Sequence, residues 1–197
     1  MSGVGPKPPR GYYLPTEQIE SRMETELARA GMVPNEVNLV VDVEKFIEGH
    51  LGARLEHYEE LDAGVLGQTE FHGSDPPVVR IDRRLTERAF DDPETPPGAA
   101  GRWRATVAHE AAHIVFHRAI YGGATLSLFD APADGPLLRC ATDAVMFRRG
   151  GSDWREIQAN MGMAALLMPR TIFSRVVREA FKLNFASTPT LAHSRCV

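Results

Sequence analysis

Residues 102–119, Arg-Trp-Arg-Ala-Thr-Val-Ala-His-Glu-Ala-Ala-His-Ile-Val-Phe-His-Arg-Ala, contain neither Gly nor Pro and are rich in Ala. They read as helix, and the apolar positions Val107, Ala111, Ile114 and Val115 make it a largely buried one. The polar groups on this buried helix constrain the chain most. His109 and His113 lie one turn apart, about 6 Å along the axis and roughly 40° around it, so each can aim a ring nitrogen at one ion about 2 Å away. Glu110, roughly 100° further round, is poorly placed to join them as a ligand but can take a proton from a water held at the ion. Burying two imidazoles and a carboxylate without an ion would demand several further hydrogen-bond partners, so a metal is the less costly reading. The pattern is that of a zinc hydrolase.

A catalytic zinc takes three protein ligands, so one more donor is expected. His117 lies about 12 Å along the helix from His109, too far for both to reach one ion. The metzincin continuation is excluded, since Phe116 and Ala119 stand where Gly and His are needed. A second helix is expected after Arg149-Gly-Gly-Ser152, capped by Ser152 or Asp153, with Ile157, Met161, Ala164, Ala165 and Met168 burying one side. Glu156 falls in its first turn, with Asn160 one turn later on nearly the same face. On residues alone, Glu156 either donates to the ion or complements the helix macrodipole.

His109-Glu-Ala-Ala-His113, followed by Glu156-x-Gln158-Ala159-Asn160 and Ala164-Ala165-Leu-Leu-Met-Pro169, resembles the ImmA/IrrE group of bacterial zinc metallopeptidases. The resemblance spans roughly residues 37–183, and the second motif discriminates because it is long. It implies one zinc ion held by His109, His113 and Glu156, with Glu110 as the general base. Weaker matches fall in order: 41–47 is similar to the family's short helix ahead of the sheet, and 65–73 with 77–82 resembles its strand pair. The chain departs from the family at Gly162 or Met163, where Phe is common, at Gln158, where Glu is frequent, and at Ala111-Ala112, where Leu-Gly is usual. None of these is an implied ligand.

A chain of 197 residues with 43% hydrophobic content can bury a real core and suits a single domain. The net charge of −4 and the absence of a Lys/Arg cluster argue against direct nucleic-acid binding. No apolar run is long enough to span a bilayer and no signal core opens the chain, so a cytoplasmic location is expected. Cys140 and Cys196 agree with a reducing compartment. Cys140 falls between the two expected zinc helices, where it is either a small buried hydrophobe or a thiolate approaching the metal; Cys196 reads as a frayed end.

The expected fold is α+β: a zincin-like domain over 16–183, with a small, mostly antiparallel sheet packed on the helix bearing the zinc motif. It lies between a disordered arm (1–15) and a tail (184–197). Ile19, Met23 and Leu27 mark an amphipathic helix from Thr16 that stops at Gly31, and a second runs over about 42–49. Strands are expected at 54–60, 65–71 and 78–82, and a loop at 91–101. Residues 120–151 carry loop signals around two runs, 137–140 and 144–147, too short to assign, and would wall the cleft. Residues 171–183 read as a final packing helix.

An exposed sheet edge would hold an extended peptide over the metal. His72, Tyr121 and His117 are candidate donors to the oxyanion, each also compatible with a surface or packing role. The resulting expectation is a zinc endopeptidase acting on a protein substrate. The family resemblance makes that substrate a helix-turn-helix repressor, with no nucleic acid or membrane bound directly. The alternative is a zinc-binding sensor that binds a regulator without cutting it; there the ion would have four protein ligands, with Cys140 as the fourth. Nothing in the sequence sets an oligomeric state.

Overall fold

The computed structural model describes residues 13–35, 37–72, 75–91, 96–121, 137–141 and 154–186, of which 137–141 and 183–186 are described by backbone alone. The chain is a mixed α+β structure. Helix α1 (Thr16–Arg29) buries the expected stripe of Ile19, Met23 and Leu27. It ends where Gly31 takes φ 67° and the Met32 amide returns to the Leu27 carbonyl at 2.9 Å. The short helix α2 (Val43–Lys45), capped by the Asp42 carboxylate at 3.0 Å, runs into a wider π-helical turn over Phe46–His50.

Four strands lie among the described residues: β1 (Arg54–Glu59), β2 (Val65–Glu70), β3 (Val78–Asp82) and, much later, β4 (Leu137–Ala141). Their order is β1-β3-β2-β4. The β2/β3 and β2/β4 pairs are antiparallel and β1/β3 is parallel, so the sheet is mostly antiparallel as expected. The run at 137–140, too short to assign by period, becomes a strand because β2 offers it a free edge.

A helix absent from the sequence reading, α3 (Arg83–Phe90), starts directly at the end of β3, where the Asp82 side chain accepts from the Arg84 amide at 3.1 Å. It buries Leu85, Thr86 and Ala89. The buried Trp103 indole donates to the Thr86 hydroxyl at 3.2 Å, and that hydroxyl donates on to the His57 carbonyl of β1. Helix, helix and strand are thereby tied by one chain of polar contacts.

The long helix α4 (Ala99–Tyr121) is the axis of the molecule, and it begins inside the segment expected to be loop. Every residue from Thr106 to His117 is buried, because the sheet covers one side and α5 (Trp154–Leu167) the other. Among the described residues no helix is long and apolar enough to cross a membrane.

Helix α5 corrects the expectation for its buried face. Ile157 and Met168 are 43% and 51% exposed and Met161 also faces outward; the face turned inward carries Gln158, Ala159, Gly162, Ala165 and Leu166. The reason is close approach: a Cβ on Gly162 would sit 2.5 Å from the Phe116 ring and 2.7 Å from the Ala112 Cβ. Large apolar residues cannot enter so narrow a crossing, so they lie on the outer face instead. The last helix, α6 (Arg170–Ala186), extends beyond its expected end. It is held at its first turn by Arg170 on Glu20 at 2.9 Å and Thr171 on Glu24 at 3.0 Å. Its Ile172, Val176 and Val177 are only half-buried and Ala180 is exposed, so it packs less than a core helix. The expected N-terminal arm up to residue 12 and the tail from residue 187 lie outside the described residues.

The crossing gives a stability prediction. Gly162→Ala forces the Phe116 ring aside and should cost about 1–3 kcal/mol, which in a chain of this size lowers the melting temperature by roughly 2–4 °C per kcal/mol. Adding Phe116→Leu should recover part of the loss. Thermal melting of the three proteins checks it, and a Gly162→Ala variant that melts with the parent would mean the helices are not so closely apposed.

Candidate metal centre

His109 and His113 project from the middle of α4 and Glu156 from the first turn of α5, so the closely packed crossing brings together residues 47 positions apart. The Nε2 atoms of the two imidazoles are 3.0 Å apart. Glu156 places Oε2 3.2 Å from His109 Nε2 and Oε1 3.4 Å from His113 Nε2. Both imidazoles are fully buried, while the Glu156 side chain is 19% exposed, so the group meets solvent on the Glu156 side. The three residues expected from the sequence to hold a metal are thus close enough together to do so.

Hydrogen bonds behind the rings decide what the facing atoms are. The Asn160 amide oxygen lies 3.1 Å from His109 Nδ1 and can only accept, so His109 carries its proton there and Nε2 is a bare lone pair. On the other ring, the Gln158 amide oxygen lies 3.3 Å from His117 Nε2, and His117 Nδ1 lies 3.0 Å from His113 Nδ1. His117 therefore donates to Gln158 and accepts from His113, whose Nε2 is also bare. Two lone pairs and a carboxylate converge with no donor between them, which requires a cation or a proton at their focus.

The proton chemistry reflects this demand. Burial pulls the His109 imidazole down, but its hydrogen bond to Glu156 and the charges of Glu110 and Glu156 prevail and hold its pKa above the ordinary value. The His113 imidazole is driven well below its ordinary value by burial and by the neighbouring His109, His117 and Arg155 charges. One positive charge is therefore welcome here and a second proton is not. A tetrahedral zinc with bonds of about 2.0–2.1 Å separates its ligand atoms by about 3.3 Å; the two ring nitrogens are 3.0 Å apart, each ring nitrogen has one Glu156 oxygen at 3.2 or 3.4 Å, and one donor atom from each residue can be chosen within 4.8 Å of the others. Two imidazoles and one carboxylate also suit zinc or a neighbouring transition metal rather than magnesium or calcium.

Glu110, one residue on from His109 and about 100° around α4, meets β2. The Thr69 hydroxyl donates to its Oε2 at 2.6 Å. Among the described residues Oε1 is the buried side-chain atom with no hydrogen-bond partner in the protein. Gly67, two residues before Thr69 and on the same face of β2, lets the strand come this close: a Cβ there would lie 2.9 Å from Glu110 Oε1 and 2.9 Å from the Thr106 methyl. Burial pushes the Glu110 carboxyl up to about 7, against the opposing pull of His109 and Thr69.

The three oxyanion candidates are placed differently. His72 is partly exposed and 3.3 Å from Glu70. Tyr121 accepts a hydrogen bond from Arg155 and stacks on Phe71. His117 is fully buried with its ring nitrogens engaged by His113 and Gln158, which removes it as an oxyanion donor. Cys140 lies opposite Gly67 in the β2/β4 pair; its side chain, like all of Cys196, lies outside the described residues. A surface cavity of about 500 Å³ lined by Arg84, Arg88 and Arg102 contains none of the donor residues, so here chemistry marks the site and cavity size does not.

Thr69, Gly67 and Gln158 were not singled out for these roles from sequence. His117 at four-residue spacing from His113 was the one local signal of a third buried ring. No protein-family model matches the chain, and no curated protein matches it in sequence.

A pH prediction follows from Glu110. An acid whose pKa rises on folding, from 4.5 to about 7, holds its proton more tightly in the folded state. Its contribution to stability is therefore lost as pH climbs through that window, by on the order of 3 kcal/mol for the metal-free protein. Glu110→Gln keeps the neutral form at all pH. In chelator, the variant should gain on the parent between pH 5 and pH 8, and the difference between their denaturation midpoints cancels titrations common to both. A constant difference across that range would contradict the buried, unsatisfied state of Oε1.

Proposed function

We propose that this chain is a zinc-dependent endopeptidase with a zincin-like fold, acting on a protein substrate. One observation carries the reading: two imidazole lone pairs and a carboxylate converge within 3.0–3.4 Å, one residue in sequence from a buried carboxylate whose Oε1 has no partner in the protein. Zinc held by His109, His113 and Glu156 would supply a Lewis acid for the scissile carbonyl and lower the pKa of water. The chain's own residues do the rest. Thr69 ties up Glu110 Oε2 at 2.6 Å, which leaves Oε1 to receive the proton of the attacking water. A carboxyl pushed up to about 7 can accept that proton and return it to the leaving amine at near-neutral pH.

Two further features bear on the choice between a catalytic and a closed structural site. Among the described residues the donor set has three members, the number a catalytic zinc takes from protein, and the side chain of Cys140, the fourth ligand of the sensor reading, lies outside them. Within the described sheet, β4 is an outer strand, next to the β2 residues that face Glu110. An extended segment pairing with β4 would pass beside the site. The sequence resemblance to ImmA/IrrE peptidases directs the choice of substrate to a helix-turn-helix repressor, and the sensor reading differs from the enzyme in predicting binding without cleavage.

Zinc analysis and a cleavage assay on the parent, Glu110→Gln and Glu156→Ala test this, with a helix-turn-helix repressor as substrate, taken from beside the gene if one is encoded there, and an unfolded protein such as reduced casein as a general one. Glu156→Ala should lose most of its zinc. Glu110→Gln should keep its zinc and its affinity for the repressor while cleavage falls on the order of 10²- to 10⁴-fold. A Glu110→Gln protein that cleaves like the parent would remove the proposed base, and a zinc-loaded parent that binds the repressor without cutting it would favour the sensor.

A further inference from the structure

Three imidazoles run along α4 at four-residue spacing, and only two of them belong to the donor set. The third, His117, is as deeply buried as the other two, which is a costly place for a ring with two polar nitrogens unless both are used. It approaches Nδ1 of His113, on the far side of that ring from Nε2, so the His113 ring stands between it and the donor set. His117 therefore cannot act as a fourth ligand. Its Nε2 is 3.3 Å from the Gln158 amide oxygen, and Gln158 is presented by α5 two residues after Glu156. The edges of Trp154 and Phe116 close around the ring, at centroid distances of 5.6 and 6.5 Å.

We infer that His117 and Gln158 are positioning residues that fix the tautomer of His113. A neutral imidazole has one donor and one acceptor nitrogen, and the partner of one nitrogen decides the state of the other. Gln158 offers only an oxygen to His117 Nε2, so that nitrogen holds the proton. His117 Nδ1 is then an acceptor, and His113 must donate to it from its own Nδ1. The lone pair of His113 Nε2 is in consequence presented toward His109 and Glu156. Asn160 does the same for His109 in a single step, through one amide oxygen. The relay on His113 takes two steps and crosses from α4 to α5, so the helix that supplies Glu156 also sets the state of a ligand on its neighbour.

This inference rests on the reading of the site as a metal centre, and the experiment separates the two. Protein stripped by chelator is titrated with Zn²⁺ against a chromophoric competitor, and the tautomers are read from long-range ¹H–¹⁵N correlations of ¹⁵N-labelled histidines. His117→Leu removes the acceptor, whereas His117→Asn keeps an oxygen near the position of Nδ1. Gln158→Leu attacks the relay from the other helix if His117→Leu does not fold. The expected result is zinc affinity lowered roughly 10- to 100-fold in His117→Leu and Gln158→Leu, with mixed His113 tautomers in the metal-free protein. His117→Asn should restore the parent's Nδ1–H pattern and most of its affinity. Unchanged affinity and an unchanged His113 tautomer in a folded His117→Leu or Gln158→Leu would overturn the relay alone. A parent protein that takes up no Zn²⁺ would overturn the metal centre and the relay with it.

Discussion

Two imidazole lone pairs and a carboxylate face one another across little more than 3 Å in the interior, and in a low-dielectric setting this is repulsive until a positive charge lies between them. Keeping such a group assembled is a mechanical requirement on the fold. The two imidazoles need only the regularity of one helix, since four-residue spacing stacks them. Glu156 must come from elsewhere, and its position is as good as the packing of α5 on α4. That packing is set by Gly162, whose hydrogen takes the place of a side chain that would strike Phe116 and Ala112. The closeness of the helices also lets Asn160 and Gln158 reach His109 and His117 directly.

The sheet side of α4 solves a different problem. Glu110 follows His109 by one residue, so helical geometry turns it away from the α5 side and toward the sheet. There Gly67 and Thr69, alternate residues of β2 and hence on one face, make its two oxygens unlike. Oε2 is held by a hydroxyl at 2.6 Å, and Oε1 lies where Gly67 leaves room. A symmetrical carboxylate becomes one anchored oxygen and one available oxygen. In the proposed reading the sheet supports the base while α5 supports the ligands, and the 100° step of the helix gives each its own packing neighbour.

The features legible in the sequence were those that depend on local repetition. His109, Glu110 and His113 stand out because a helix turns their spacing into geometry, and the stripe of Ile19, Met23 and Leu27 was readable for the same reason. Features settled by partners distant in sequence were obscure. The buried face of α5 was misread because Ile157, Met161 and Met168 carry more apolar surface than Ala159 and Gly162, yet a close crossing selects for small size over hydrophobicity. Strand β4 acquires its conformation from the free edge of β2, and no period within five residues announces that. Helix α3 was hidden because Asp82 both ends a strand and caps the helix, leaving no loop between them.

Hydrogen-bond satisfaction was the least legible property, because it is an accounting across the whole interior. His117 shows how it works. A third buried ring beside the donor set looks like a surplus ligand until its partners are traced, and then each proton finds an acceptor: His113 to His117, His117 to Gln158, His109 to Asn160. Traced across the described interior, that accounting leaves one side-chain atom without a partner in the protein, Glu110 Oε1. Gly67 faces this oxygen and has no side chain to offer it, because a Cβ there would lie 2.9 Å from Oε1 and 2.9 Å from the Thr106 methyl. The cost of a buried, unsatisfied oxygen is thus borne one residue from His109, a proposed ligand. The close packing of β2 on α4 accounts for Gly67, and the unpaired oxygen it leaves is the one that the proposed mechanism uses to take a proton.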